Sequence, residues 1–494
     1  MKNNKRKLAA VCAAVMAASC VSGCMNNTAS DKKVRLKYVM IGPGMQADSK
    51  KVWAKVNEQI AQKGVNAEVD FEIIPLSEYA QKFMLMTSAR EQIDIASNYG
   101  LDFGNEVRNG TFEPLDELLD KYGKDIKEAL PEWLFDYKKV DGKLYGVPAY
   151  QPLYNTRGVF FFKDEADKYL DIDALKASLE KTPYFNEETY KILTKYMEDL
   201  KANGSKFTDT TILNLTGYDS ITGSYAIVRG EENPKVVCPY ITDDAKIRYK
   251  YAREWYKRGY TREDAISATG RNEVSGQRDG YPFWDETYDP HTAESLSKKY
   301  NTEIIGIPYK EKEYAATSLS AKGVSIAAAS EYKDRAMQAL NLIESDKDIF
   351  NLLTYGIEGE NYTKISDDRI ETKYQGSPTA DDKYGLYGWI VGNTSLSYLT
   401  PTQPDDYKTW FTETYNTDFR SPLIGFVADT SEIQDYITQV NAVIAKYLQP
   451  LNSGIHEDWE TQFDNFRAEM DKVGNKQIIE TLQKQVDDFL KNKK

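Results

Sequence analysis

Apolar and polar residues alternate along two early stretches of the chain, residues 34–40 and 65–73, and each stretch predicts a half-buried strand. Apolar residues at helical spacing follow both stretches, between Ser49 and Gly64 and again from Ser77 to Met86. A short apolar run, Ile93–Ala96, predicts a third strand. The order β-α-β-α-β is typical of a parallel sheet covered by helices, so the chain is predicted to begin with an α/β domain.

The predicted sheet also indicates where a ligand would bind. In parallel sheets covered by helices, ligands bind beyond the carboxyl ends of the strands. The loops that follow Met40, Ile74 and Ala96 are therefore candidate binding loops.

The rest of the chain continues the α/β pattern and then becomes helical. Gly158–Phe162 is a continuous apolar run, which predicts a strand buried on both faces, and further strands are predicted over 304–307 and 323–328. Helices are predicted over 115–122, 128–137, 186–202, 243–258, 331–345 and 347–355. The C-terminal part carries three amphipathic helical patterns, whose apolar faces are expected to pack on the protein itself rather than in a membrane.

The N-terminus has the layout of a bacterial export signal. It begins with cationic residues and no acidic one, and the apolar run Leu8–Val21 that follows is too short to span a bilayer. The run ends in Val21-Ser22-Gly23-Cys24, which resembles the lipobox of bacterial lipoproteins. We therefore predict a signal peptide over 1–23, diacylglycerol on Cys24 and a tether over 24–33, which places the protein on the outer face of the bacterial membrane. An ordinary cleavable signal with a chance cysteine is the alternative.

Composition restricts the classes of partner. The chain has a net charge of −13, and loss of the four signal-peptide cations Lys2, Lys5, Arg6 and Lys7 changes it to −17. An acidic chain of this kind repels phosphate backbones, so we expect no nucleic-acid partner. Cys238 is the only cysteine left after processing and lipidation, so no intramolecular disulfide can form. The chain has 35 Tyr and 7 Trp, whose flat faces and polar tips suit a partly wet binding surface.

Sequence motifs for catalysis and for cofactors are missing. The chain contains no H-E-x-x-H, G-x-S-x-G, Walker A or C-x-x-C pattern and no EF-hand calcium loop. Two S-x-x-K matches, at 295–298 and 330–333, lack the partner motifs of Ser-Lys enzymes. We therefore predict no enzymatic activity, no cofactor and no metal site. A glycosidase, which needs only two positioned carboxylates, is the remaining enzymatic alternative.

Four stretches of the sequence together resemble a known family. They are Gln81–Met86 with Gln92–Ile95, Asp141–Pro148, Tyr355–Tyr362, and Ser421–Phe426 followed by the helical pattern Ile433–Leu448. In this order, behind a lipobox, they resemble the extracellular solute-binding proteins of ABC transporters, carbohydrate-associated family 1. Within that family the resemblance is to the LplA/LipO-like lipoprotein group of Gram-positive bacteria.

The resemblance implies a fold, a division of the chain and a role. The implied fold is the two-lobe α/β fold of periplasmic binding proteins (type II), with hinge crossings and a helical C-terminal segment. We predict lobe 1 as 34–149 and 262–310, lobe 2 as 150–261 and 311–390, and the C-terminal segment as 391–494. The protein is then a monomer that binds a carbohydrate, above all an oligosaccharide, in an inter-lobe cleft and passes it to ABC permease subunits in the membrane. Another solute, such as a peptide or glycoside, and a non-transport lipoprotein, such as a foldase or adhesin, are the alternatives.

The candidate ligand contacts are mainly aromatic and amide side chains at strand ends and predicted crossings. A pyranose ring has a CH-rich face that stacks on aromatic rings, and its hydroxyl groups need amides, carboxylates or guanidinium groups. The predicted contacts are Asn98, Tyr99, Tyr150, Tyr154, Trp284, Asp285, Trp389 and Asn393. Trp284 and Asp285 are expected in a glycine-rich loop over 276–290. For each of these residues, ordinary packing is the alternative.

Overall fold

The computed structural model describes residues 32–151, 157–182, 184–210, 217–231, 233–266, 277–309, 322–374, 377–414 and 421–493. The predicted signal peptide, Cys24, most of the predicted tether and Tyr154 lie outside these residues.

Most of the strands and helices occur where the spacing of apolar residues predicts them. The strands are β1 (Val34–Ile41), β2 (Ala67–Ile74), β3 (Ile95–Ser97), β4 (Lys139–Val140), β5 (Lys143–Leu144), β6 (Val147–Pro148), β7 (Arg157–Phe162), β8 (Tyr218–Thr222), β9 (Tyr225–Val228), β10 (Val236–Val237), β11 (Trp284–Thr287), β12 (Ile304–Pro308), β13 (Gly323–Ile326), β14 (Tyr362–Ser366) and β15 (Arg369–Thr372). The α-helices are α1 (Ser49–Gln62), α2 (Leu76–Ser88), α3 (Phe103–Arg108), α4 (Asp116–Tyr122), α5 (Lys124–Ala129), α6 (Lys163–Tyr169), α7 (Ile172–Leu179), α8 (Glu187–Ala202), α9 (Asp243–Lys257), α10 (Thr292–Tyr300), α11 (Lys333–Ser345), α12 (Lys347–Tyr355), α13 (Gly388–Val391), α14 (Tyr407–Thr414), α15 (Gln434–Ser453), α16 (Trp459–Lys472) and α17 (Asn475–Lys493). Short 3-10 helices are Glu132–Lys138 and Thr394–Leu396.

The predicted helix over 128–137 is divided in two. Helix α5 ends at Ala129, and a 3-10 helix begins at Glu132. Between them Leu130 is extended, with φ −110° and ψ 139°. This is the conformation favoured for a residue that precedes a proline, here Pro131, so the helix cannot continue through it.

The first sheet has the strand order β2-β1-β3-β13-β6. Strand β1 lies between β2 and β3 and is parallel to both, with Tyr38 opposite Ile95. The predicted β-α-β-α-β start of the chain is therefore confirmed. Strands β13 and β6 complete the sheet in antiparallel orientation, and Val324 of β13 lies between Ser97 and Val147.

The second sheet has the strand order β11-β7-β12, and both neighbours of β7 are antiparallel to it. The continuous apolar run that predicted a buried strand forms β7. The ring of Phe161 contacts Tyr196 and Phe283, and the ring of Phe160 contacts Trp284. Apolar side chains therefore cover both faces of β7, as its sequence predicts.

The pairing of the strands contradicts the predicted division of the chain. Strands β11 and β12, within 262–310, pair with β7, whereas β13, within 311–390, pairs with β3 and β6. Helices α11 and α12 follow β13 and pack on α1, α4 and α5. The prediction placed these two segments in the opposite lobes, because an apolar run identifies a strand but not its partner. Lobe 1 is therefore the unit around the first sheet, and lobe 2 the unit around the second.

The C-terminal helices α15, α16 and α17 form a core with α9 and the third sheet, β10-β9-β8. A strap, residues 421–433, leads to these helices across the side of lobe 1. Ile424 is buried in the core of lobe 1, whereas Phe426 is buried with the C-terminal helices. The guanidinium of Arg108 donates to the carbonyl of Val427 at 3.1 Å, which fixes the strap to lobe 1. Among the described residues, no helix has both the length and the apolar character needed to cross a membrane.

Candidate functional site

Three aromatic rings meet at the carboxyl edge of the first sheet. The ring of Tyr99, two residues beyond β3, lies 4.9 Å from the ring of Trp389 in α13, at an interplanar angle of 53°. Trp389 in turn stacks on Tyr387, with centroids 5.4 Å apart and an angle of 29°. All three side chains are half-buried, so part of each ring faces solvent. We call Tyr99, Trp389 and Tyr387 the aromatic platform.

Buried polar contacts hold the turn that presents Tyr99. Asn98 is fully buried, and its amide nitrogen donates to the hydroxyl of Ser325 on β13 at 3.0 Å. The ammonium of Lys138 donates to Asn98 Oδ1 at 2.8 Å and also lies 4.3 Å above the ring of Phe103. Burial lowers the pKa of Lys138 well below its ordinary value. The side chain of Asn98, a predicted ligand contact, therefore makes internal hydrogen bonds beneath the platform.

A second buried network holds α13 and with it Trp389. The amide oxygen of Asn393 accepts from the backbone N–H of Ser395 at 3.2 Å and from its hydroxyl at 2.6 Å. The amide nitrogen of Asn393 donates to the carbonyl of Glu344 at 3.0 Å. The Glu344 carboxyl is itself fully buried, and this burial raises its pKa well above the ordinary value. Asn393, also predicted as a ligand contact, is thus a buried cap that shapes the turn after Trp389.

The platform is tied to the first crossing between the lobes. The carbonyl of Tyr150, just beyond β6, accepts from the backbone N–H of Thr394 at 2.7 Å. The side-chain amide of Gln151 donates to the carbonyl of Trp389 at 3.3 Å. The predicted contacts Tyr99, Tyr150 and Trp389 are therefore brought together, although the Tyr150 side chain is mostly buried.

Exposed apolar side chains also follow strands β1 and β2 at the same edge of the sheet. Met45, beyond β1, is 58% exposed, and Leu76, beyond β2, is 51% exposed. A Cβ on Gly100 would lie 3.4 Å from Leu76, which places Leu76 beside the turn that carries Tyr99. Leu76 therefore adds exposed apolar surface beside the turn that carries Tyr99.

The segment around Trp284 and Asp285, predicted as a loop, is instead strand β11, so the predicted loop conformation is wrong. Trp284 is 2% exposed, and its ring packs against Phe160 and Phe162 inside lobe 2. The carboxylate of Asp285 lies 2.9 Å from the guanidinium of Arg157, and its side chain is 1% exposed. Burial raises the pKa of Asp285 against the opposing effect of Arg157. Both side chains are therefore enclosed where β11 pairs with β7.

Comparisons with known proteins extend over the whole chain. A protein-family model described as a domain of unknown function (DUF3502) matches residues 422–491, the strap and the C-terminal helices. The chain is 24% identical over 510 residues to a "Carbohydrate ABC transporter substrate-binding protein" of Streptococcus pneumoniae serotype 4 (strain ATCC BAA-334 / TIGR4), with 100% of both chains covered. It is 22% identical over 473 residues to the "Fructooligosaccharide ABC transporter substrate-binding protein FusA" of the same strain, with 84% of each covered.

The solved structure of the "N-glycan transport solute binding protein (NgtS)" from Streptococcus pneumoniae matches with a TM-score of 0.76 at 22% identity, and the match covers 94% of this chain and 100% of that one. The chain is a homologue of the substrate-binding proteins of carbohydrate ABC transporters. The predicted two-lobe α/β fold is confirmed. The relatives are named for binding and transport, in agreement with the prediction that this homologue is not an enzyme.

A second concave region of the homologue lies away from the platform. A cavity of about 890 Å³ separates the β4–β5 turn from the strap and α17. Its walls carry charges of both signs, including Arg108, Asp141 and Lys484. It is lined by two phenylalanine rings, of which Phe426 is 5% exposed and Phe489 is half-buried. Within the described residues no group of three or more His, Cys, Asp or Glu side chains could hold a metal ion.

Sequence reasoning missed Tyr387 as part of the platform. Tyr387 and Trp389 are two residues apart, which places them on different faces of a regular helix. They stack only because Tyr387 precedes α13 in an extended conformation, with φ −77° and ψ 118°. The density of aromatic residues around 387–389 was the available signal.

Proposed function

We propose that this homologue is a lipid-anchored receptor on the outer face of the membrane, which binds an oligosaccharide between its lobes and delivers it to an ABC permease. The observation that carries the proposal is the aromatic platform at the carboxyl edge of the first sheet, beside a crossing between the lobes. The names of the relatives support a carbohydrate as the ligand.

The platform has the chemistry that a sugar ring requires. Trp389 and Tyr99 are tilted by 53° to each other, so two adjacent sugar units could each meet an aromatic face. Their supports, Asn98 and Asn393, are fully buried and hydrogen-bonded. A platform held in this way loses little conformational entropy on binding, which favours affinity.

The arrangement of the crossings supports a ligand-dependent closure. The chain passes between the lobes after β6 and again after β12, and the strap leads from the core of lobe 1 to the core of the C-terminal helices. A ligand that touches lobe 1 through the platform and lobe 2 at the same time stabilises the closed arrangement only. The permease would then receive the closed, loaded protein.

A saccharide that binds should raise the thermal stability of the protein. At 100 times its dissociation constant, a ligand that binds only the folded state adds about 2.7 kcal/mol of stability. Thermal unfolding across a panel of plant and host oligosaccharides, with a panel of peptides as the comparison, would identify the ligand class. A shift with peptides and none with any saccharide would contradict the sugar assignment, and release of shorter sugars during incubation would indicate a glycosidase instead.

The anchor is tested separately at Cys24. A Cys24→Ser chain has no thiol for diacylglycerol, so we expect the mature protein to leave the membrane fraction and appear in the culture medium, while any uncleaved precursor is recognised by its larger size and counted separately. Fractionation with an antibody against the C-terminal helices measures this. Cys238→Ser is the matched control, because Cys238 is buried and should not affect location. Mature Cys24→Ser protein that remains firmly membrane-bound would contradict the lipid anchor.

A further inference from the structure

Lobe 2 and lobe 1 also touch at a histidine outside the crossings and the platform. The imidazole of His291, the residue before α10, lies between two rings of α14. Its centroid is 5.5 Å from Trp410, edge to face at 86°, and 6.4 Å from Tyr407. Nε2 of His291 is buried, makes no hydrogen bond and lies 3.6 Å from a carboxylate oxygen of Asp406. A second bond beside it runs from the hydroxyl of Ser295 to the carbonyl of Thr402 at 3.0 Å.

The histidine side of this contact belongs firmly to lobe 2. Leu296 of α10 is buried in the cluster that contains Phe160, Phe162 and Trp284. The backbone N–H of Ile304, at the start of β12, donates to the hydroxyl of Ser297 at 2.9 Å. Helix α10 is therefore fixed to the second sheet and moves with it.

The other side of the contact belongs as firmly to lobe 1. The ammonium of Lys408 lies 2.8 Å from the carboxylate of Asp368, in the turn between β14 and β15. Arg369 donates to the carbonyl of Gln403 at 2.7 Å and pairs with Asp405 at 2.7 Å. Segment 399–410 is thus held by the β14–β15 hairpin, and a movement of the lobes must break the His291 contact or form it.

The ionisable groups that face His291 are carboxylates. Asp406 comes from lobe 1, Asp289 accepts from the His291 backbone N–H at 2.7 Å, and Glu294 lies one turn further along α10. Tyr407 is neutral at neutral pH, because burial raises its pKa to about 12, and the nearby Lys408 is paired with Asp368. Carboxylates of both lobes therefore face the imidazole.

We propose that His291, inserted between Tyr407 and Trp410 and facing Asp406, is a latch that holds the two lobes in the arrangement seen here, and holds it more tightly when the imidazole is protonated. The latch rests on the proposed function for its role, and adds to it a control on the relative arrangement of the lobes. Its contacts involve no ligand, so it can be tested whether or not a sugar binds.

The test uses His291→Gln, Asp406→Asn and the double variant, with His456→Gln as the matched control. His456 is the other histidine of the chain, and its carboxylate neighbour Asp458, 3.9 Å away, lies in its own segment, so it joins no lobes. The purified protein is compared at about pH 8 and about pH 5.5, a range in which histidine changes charge. The fluorescence of Trp410 is obtained by subtracting the spectrum of a Trp410→Phe variant from that of the unmodified chain, and it reports the contact with the imidazolium. Small-angle X-ray scattering measures the radius of gyration.

In the unmodified chain and in His456→Gln, acidification should quench Trp410 and bring the radius of gyration to the value calculated from the arrangement of the lobes described here. Both changes should be absent in His291→Gln, and Asp406→Asn should have no further effect in that background. The rate at which a bound oligosaccharide is released at low pH should differ by up to about fivefold between His291→Gln and the unmodified chain, the range expected of a partly exposed ion pair. Equal acid responses in His291→Gln and the unmodified chain, or their loss in His456→Gln, would overturn the latch. A chain that binds no saccharide but keeps the His291-dependent response would overturn the proposed function and leave the latch intact.

Discussion

Replacing Trp389 with alanine should weaken oligosaccharide binding at least about fivefold, a loss of more than about 1 kcal/mol, while the fold remains intact. The indole ring is the centre of the aromatic platform, in contact with Tyr99 on one side and Tyr387 on the other. Its removal takes away the stacking face and leaves the neighbouring rings without their packing partner. Isothermal titration with the best saccharide of the panel measures the change.

Two variants make this result specific to the platform. Trp389→Phe keeps an aromatic face and should recover part of the affinity. Trp459→Ala removes a half-buried indole from the start of α16, which packs on the C-terminal core, and should bind as the unmodified chain does. Unchanged affinity in Trp389→Ala would exclude the platform as the sugar site, and an equal loss in Trp459→Ala would indicate a general effect on folding.

Replacing Gly392 with alanine should lower the free energy of unfolding by about 2–6 kcal/mol, the sum expected for backbone strain and overpacking. Gly392 ends α13 with φ +138°, which a side chain rarely tolerates. A Cβ placed there would overlap both carboxyl oxygens of Glu344, which is fully buried beneath it. Relief would require the Glu344 carboxyl to move within a closely packed core.

Gly388→Ala is the matched control for this loss of stability. Gly388 begins the same helix, and the nearest atom to an added Cβ is 3.7 Å away on Thr354, an ordinary contact. We expect Gly388→Ala to unfold at nearly the same denaturant concentration as the unmodified chain. Denaturant unfolding followed by circular dichroism compares the two. A Gly392→Ala protein as stable as Gly388→Ala would mean that Glu344 does not lie against this turn.

Local sequence patterns predicted the elements of this protein well where one face of an element is buried. Helix α1 shows Val52, Val56 and Ile60 on its buried face, and the end of α1 before Gly64 follows from the positive φ of 88° at that glycine. Such patterns depend only on neighbours along the chain. The short strands β8, β9 and β14 were missed, because a few residues do not establish a period.

The candidate site was predicted only in part, because position at a strand end does not determine burial. Tyr99 and Asn98 are adjacent in the turn after β3, yet Asn98 is buried between Ser325 and Lys138 whereas Tyr99 is half-buried. The glycine-rich and aromatic composition around Trp284 predicted a binding loop. The segment instead forms strand β11, which pairs with one edge of β7 while β12 pairs with the other. Neither outcome can be read from a segment taken alone.

The sequence by itself predicted export, and it determined an α/β protein that begins with a parallel sheet, lacks the motifs of the common enzymes and ends in amphipathic helices. These properties follow from the periodicity, the charge and the motifs of single segments. The tertiary structure alone decided which segments share a lobe, how Tyr387 comes to stack on Trp389, and that His291 of lobe 2 meets Asp406 of lobe 1. The reason is physical: hydrogen bonding between strands and burial between side chains join residues far apart in sequence, and each such pairing depends on every other element that competes for the same surface.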